Sequence, residues 1–156
     1  MPTLDETATV VRNLGVAYAI EGLSLDENGD CSLLVDQKTD IFFHFDEANQ
    51  RLIIESIVGE LPPENQESTL ISLMRGNRLG VETLGGTLAL SPKNQILFLR
   101  ELPHKKLNLS TLERAVSMHA TATLDWKERL EGNSDAEARS SDYPLDFDKF
   151  DLSMRV

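Results

Sequence analysis

Cysteine is almost missing from this chain. With Cys31 alone, it can close no intrachain disulfide and build no cysteine-based zinc cluster, and such thiol usage fits a reducing compartment. Basic residues are also short, 15 Lys and Arg against 26 Asp and Glu, for a formal net charge of −11. That charge repels phosphate backbones and anionic lipid, so nucleic acid and a membrane surface are poor partners and a basic or amphipathic polypeptide is a better one. The same acidity also serves solubility. No apolar run approaches the ~18 residues that cross a bilayer. The opening Met-Pro-Thr-Leu-Asp-Glu-Thr lacks a basic region followed by an apolar core, so no Sec-type signal is expected.

What is present suits one folded unit. The 156 residues, 40% hydrophobic and 26% charged, match the ~100 to 200 residues of a typical domain with a core of its own. Leu4, Ala8, Val11 and Leu14 recur at steps near four, which predicts an amphipathic helix from Thr3 or Asp5 to Gly15. Asp26-Glu-Asn-Gly29 predicts a tight hairpin turn flanked by strands, since Asn-Gly readily takes positive φ.

Three alternating segments then predict antiparallel strands, because the connectors at Gln37-Lys38 and Glu47 to Gln50 are short. Cys31, Leu33 and Val35 alternate with Ser32, Leu34 and Asp36. Ile41, Phe43 and Phe45 alternate with Phe42 and His44, and Leu52, Ile54, Ser56 and Val58 with Arg51, Ile53, Glu55 and Ile57. Both faces of such a sheet carry apolar side chains. One layer of helix needs only one, so the surplus asks for another layer, a subunit or a bound chain.

After Leu61-Pro-Pro63, residues Glu64 to Asn77 predict a second helix with Leu70, Leu73 and Met74 on its stripe, and Gly76 and Gly80 marking its end. Gly85-Gly86 leads into strands at Leu88 to Leu90 and Gln95 to Leu102, around a turn at Ser91 to Asn94. A long helix follows, capped by Asn108 or Ser110, with Leu109, Leu112, Val116, His119, Thr123, Trp126 and Leu130 at alternating steps of three and four. Past Gly132 the composition turns polar and predicts a tail over 132–156, either flexible or docked, whose end alternates acidic and apolar residues from Tyr143 to Leu152.

Nothing in this pattern assembles chemistry. His44, His104 and His119 stand apart without a second ligand at metal spacing, and Gly85-Gly86 precedes a strand, where no helix N-terminus cradles a phosphate. The Asp26 to Asp30 run lacks the glutamate of a calcium loop, since Gln37 occupies its twelfth position. Cys31 with His44 as base would be the one enzymatic arrangement, and alternation puts them on opposite faces. No catalytic residue, metal or cofactor is therefore assigned, and the expected function is binding.

The order helix, three strands, helix, two strands, helix (an α+β fold, α-β-β-β-α-β-β-α) resembles the class I chaperones of bacterial type III secretion, the Tir chaperone family. The resemblance runs over residues 3–131, through Leu25 to Asp36, Ile41 to Phe45, Leu52 to Ile54, Leu70 to Asn77, Gly86 to Leu99 and the helix reaching Trp126. It implies a homodimer in the bacterial cytoplasm that holds the N-terminal segment of a secreted effector in an extended state, soluble and competent for secretion. A secretion ATPase or sorting platform would be a further partner. By the resemblance, Leu4, Val11, Leu14, Leu33, Val35, Phe43 and Ile54 line the effector groove, and Leu70, Leu73, Met74, Leu88 and Leu90 form the dimer interface. Ordinary core packing is the rival account for every one of them. A dimeric adaptor of the same fold, binding a folded partner, is the alternative function.

Overall fold

The computed structural model describes residues 4–132 and 152–154. The first three alternating segments are strands β1 (Asp30–Val35), β2 (Thr39–Asp46) and β3 (Arg51–Glu60), and those after Gly86 are β4 (Thr87–Leu90) and β5 (Gln95–Pro103). Every neighbouring pair is antiparallel, in the order β4-β5-β3-β2-β1, with a short β6 (Leu152–Met154) on the outer side of β1. Between β1 and β2, Asp36 and Gln37 take positive φ values of 51° and 56°, the backbone geometry that lets a tight turn follow strand twist. The β3–β5 register slips between Ile57 and Gly59, so Val58 is the extra residue of a bulge.

Helices α1 (Leu4–Ala17) and α3 (Leu109–Leu130) cover one face of this sheet. Ala8, Val11 and Leu14 of α1 and Leu112, Val116 and Ala120 of α3 meet Leu33, Val35, Ile41, Phe43, Leu52 and Ile54 in one core. A second cluster joins Leu73 of α2 (Gln66–Gly76) and Leu88 of β4 to Ile96, Phe98, Ala122 and Trp126. Each of the Val, Leu, Ile and Phe side chains among them contributes roughly 1.5–3 kcal/mol by leaving water. Asn108 starts α3 through a reciprocal box: its side chain accepts from Thr111 N at 3.0 Å, and Thr111 Oγ1 accepts from Asn108 N at 2.9 Å.

Three local expectations are corrected. Helix α1 runs through Gly15 to Ala17, because that glycine serves close packing rather than termination: a Cβ on it would stand 3.0 Å from both Ile20 O and Leu23 Cβ. Asp26 to Gly29 does turn, with Gly29 N donating to Asp26 O at 3.0 Å, but only its C-terminal side is a strand. Leu23 and Leu25 on the other side are buried in irregular backbone, where their burial does not depend on ladder pairing. Helix α2 also starts at Gln66, after Asn65 in a left-handed conformation (φ 62°). Of the expected tail, residues 133–151 and 155–156 lie outside the described residues, and Leu152–Met154 is strand β6.

Candidate functional site

The sheet's second face carries no helix among the described residues. Strand alternation sends Leu34, Phe42, Ile53, Ile57, Leu97 and Leu99 to that side, while their sequence neighbours fill the core. Register sets them beside one another: Ile57 stands opposite Leu97, Glu55 lies between Phe42 and Leu99, and Ile53 lies between His44 and Glu101. Phe42 and Ile57 remain 39% exposed and the other four are partly buried. The result is an oily diagonal edged by Glu55, Glu101 and Asp46, a surface suited to an amphipathic chain. Arg51 bridges two of those carboxylates, at 3.0 Å to Asp46 and 2.7 Å to Glu101. Where β1 and β2 begin and end, Asp26, Asp30, Ser32, Phe42, His44, Ile53 and Glu55 border an open cleft of about 610 Å³.

The residues expected to line the groove are brought together, but beneath α1 and α3. Val11, Leu14, Leu33, Val35, Phe43 and Ile54 are at most 1% exposed, and Leu4 packs half-buried against the same core. Their side chains are core in this structure. Alternation identifies two faces and does not say which one the helices take, and so the open-face residues were missed; only the relative oiliness of the odd and even positions could have pointed to them.

The residues expected at the dimer interface divide. Leu73 and Leu88 are 5% exposed within the second cluster and Leu70 packs against it, whereas Met74 is 75% and Leu90 41% exposed. Ile71, Leu79 and Val81 add to the exposed apolar set, at 41%, 86% and 70%. Leu79 and Val81 sit in and after the turn Arg78–Gly80, with Leu79 in a left-handed conformation (φ 59°). Asn77 ties α2 to β4 just beside this patch. Its side-chain amide donates to Leu88 O at 2.9 Å and accepts from Leu88 N at 2.8 Å, in the manner of a neighbouring strand.

Among the described residues, the titratable groups that stand out are these. Burial pushes the Cys31 thiol up to about 12, with Asp26 and Asp30 adding to it, so it stays protonated and a weak nucleophile. His44 instead sets Nδ1 2.6 Å from Asp30 Oδ1. His119 of α3 is fully buried, its Nε2 2.9 Å from Ser56 Oγ. The Ser56 hydroxyl donates to Asp40 O at 2.8 Å, so Nε2 carries the ring proton and donates. Nδ1 is then a bare lone pair with no hydrogen-bond partner. Burial, reinforced by the nearby Arg100 cation, lowers the His119 pKa to about 3. Arg100 itself is held down to about 10 by burial, and it donates to Leu84 O at 2.8 Å, pinning the loop before β4 to β5.

A sequence profile of the Tir chaperone protein (CesT) family matches residues 9–127. The chain belongs to this family. The matched range runs from inside α1 to near the end of α3 and so contains all five strands of the main sheet. Among solved structures, the Tir chaperone fold recurs in the ExsC–ExsE complex, with TM-score 0.71 and 18% identity over 82% of this chain and 96% of that chain. It recurs in the HopA1–SchA chaperone–effector complex, with TM-score 0.63 and 20% identity over 82% and 97%. A third likeness is the Yersinia pestis type III secretion chaperone SycH in complex with a stable fragment of YscM2, with TM-score 0.61 and 14% identity over 76% and 97%. Identities this low describe a shared fold. No curated protein matches the chain in sequence.

Proposed function

We propose that this Tir chaperone family protein is a type III secretion chaperone. In this reading it holds the N-terminal segment of a secreted effector, extended and soluble, in the bacterial cytoplasm, and catalyses nothing. One observation carries the reading: among the described residues the sheet is covered by helices on one face only, and the other presents Phe42, Ile53, Ile57, Leu97 and Leu99. An extended segment can cover such a face with alternate side chains while its backbone pairs along a strand edge. The residues beneath α1 and α3, from Leu4 and Val11 to Phe43 and Ile54, would hold that face in shape.

The protein acts as a homodimer through α2, the turn after it and β4. Ile71, Met74, Leu79, Val81 and Leu90 support this, as five large apolar side chains left in water on adjoining elements. A leucine both exposed and left-handed, as Leu79 is, has backbone strain that a partner's contacts would offset. The net charge of −11 favours a basic or amphipathic guest and leaves room for a secretion ATPase or sorting platform as a later partner.

Limited proteolysis of the complex co-purified from cells checks the function. A partner segment shielded over tens of residues supports the reading, and a partner protected only as an intact folded domain would replace it with the adaptor function.

A further inference from the structure

Glu55 interrupts the apolar pattern of the open sheet face. It belongs to β3, which runs between β2 and β5, and it shares its side of the sheet with Ile53 and Ile57, two places before and after it. Across the strands its partners are Phe42 on β2 and Leu99 on β5. A partly exposed carboxylate thus stands among four apolar side chains. Among the described residues no hydrogen bond or ion pair engages that carboxylate. Arg51, which lies on the same face, is already held by Asp46 and Glu101.

We propose that Glu55 selects the guest of the open face: it takes one arginine or lysine of an extended segment and turns away a segment that is apolar at that place. This rests on the chaperone reading above and deepens it by naming what the guest must carry. A purely apolar chain laid on Phe42, Ile53, Ile57 and Leu99 would strip water from Glu55 and put nothing in its place, which is strongly unfavourable for a charge. A basic side chain at that point forms a charge-assisted pair instead. Selection therefore works by penalty as much as by attraction.

The spacing indicates how the guest reads. Residues 53, 55 and 57 follow one another roughly 7 Å apart along β3, the same step that separates alternate residues of an extended guest. A segment lying along β3 is then apolar, any, basic, any, apolar. Arginine suits the middle place better than lysine, because its flat guanidinium can lie on the exposed Phe42 ring while it pairs with the carboxylate. A second copy of this chain is a poor cover for the face. A two-fold contact here would bring Glu55, Glu101 and Asp46 toward like charges, and each copy carries a net charge of −11.

The test is selection from a phage-displayed library of random peptides on the full-length protein and its Glu55→Gln and Glu55→Arg variants. The original chain should enrich peptides with arginine or lysine flanked two places away by apolar residues. Glu55→Gln should keep the apolar pair and lose the basic preference, and Glu55→Arg should exchange that preference for aspartate or glutamate. If Glu55→Arg fails to fold, Glu55→Gln alone decides. Titrated by anisotropy, a selected peptide whose base is changed to glutamine should bind the original chain at least about tenfold more weakly, and Glu55→Gln about as well as the unchanged peptide does. Because Glu55→Gln removes a single charge, a basic preference that survives in it comes from the overall acidity and overturns the proposal. Failure of the original chain to enrich any such peptide overturns it too. Displacement of the selected peptide by a peptide of residues 143–151 would make the chain's own segment the occupant, and dissociation of a dimer by Phe42→Asp would make it a second copy; either result also overturns the proposal. None of these outcomes involves an effector, so a failure of the chaperone reading would appear separately, in the proteolysis of the co-purified complex.

Discussion

The indole of Trp126 lies directly against Gly76, where a Cβ would overlap the ring. This contact joins the end of α2 to α3, and it is why the helix carries glycine at its last position. Trp126 also donates from Nε1 to Glu82 O at 3.1 Å, and the Arg129 guanidinium stacks 4.7 Å above its ring while bridging Glu82 at 2.7 Å. Gly76→Ala must therefore push the indole out of place. Alanine gains ~1 kcal/mol in helix propensity, but overpacking costs ~1–3 kcal/mol. A net loss of up to about 2 kcal/mol is expected, read as a lower urea midpoint with an unchanged slope.

Phe42 and Phe43 are neighbours with opposite fates. Phe43 is 1% exposed in the core and Phe42 39% exposed on the open face. Phe43→Asp should prevent folding, since it buries an unpaired charge. Phe42→Asp should leave the melting temperature within a few degrees and weaken capture of the co-purified partner at least tenfold, as for a central contact of ~1.4 kcal/mol or more. Unchanged capture would take Phe42 out of the guest surface.

The exposed patch on α2 and the following turn predicts a separable effect on assembly. Val81→Asp and Met74→Asp replace side chains that are 70% and 75% exposed, so the subunit should fold and light scattering should report a monomer. A dimer of undiminished stability in both variants would place the interface elsewhere.

His119 makes stability fall with acid. Its folded pKa of about 3 lies below the ~6.5 of an unfolded histidine. As pH drops through 6.5 the unfolded chain takes up the proton first. Stability is thus full above pH 6.5 and is lost progressively from there toward pH 3, by a few kcal/mol in all. His119→Gln should be less stable at pH 7 and show a flatter decline over that window, measured by urea unfolding at each pH.

Cys31 should be slow to react. A thiol raised to about 12 by burial and two nearby aspartates has little thiolate at neutral pH. Ellman's reagent should label it in urea at the rate of a free cysteine and at least tenfold more slowly in the native protein. A fast native reaction would show that the segment before β1 opens readily.

Much of this architecture was legible because local rules act over a few residues. The alternation in β1, β2 and β3 predicted the strands and their antiparallel pairing, and the start of α3 was narrowed to Asn108 or Ser110, of which the structure uses Asn108. Gly15 misled for a physical reason: a stop signal and a close-approach site use the same residue, and only the packing of Leu23 and Ile20 tells them apart. The join of β3 to β5, the bulge at Val58 and the pairing of β6 with β1 involve partners distant in sequence, which no local period encodes. The site was legible as a surplus of apolar residues and illegible as a location.

The sequence by itself determined the elements, their order and the two-sided oiliness of the strands, because side-chain alternation and helical period follow from backbone geometry alone. Only the tertiary structure decided which side α1 and α3 would cover. That choice sealed Leu33, Phe43 and Ile54 inside and left Phe42, Ile57 and Leu99 facing out, and it depends on how distant segments pack together, a property of the assembled layers and of no single stretch of chain.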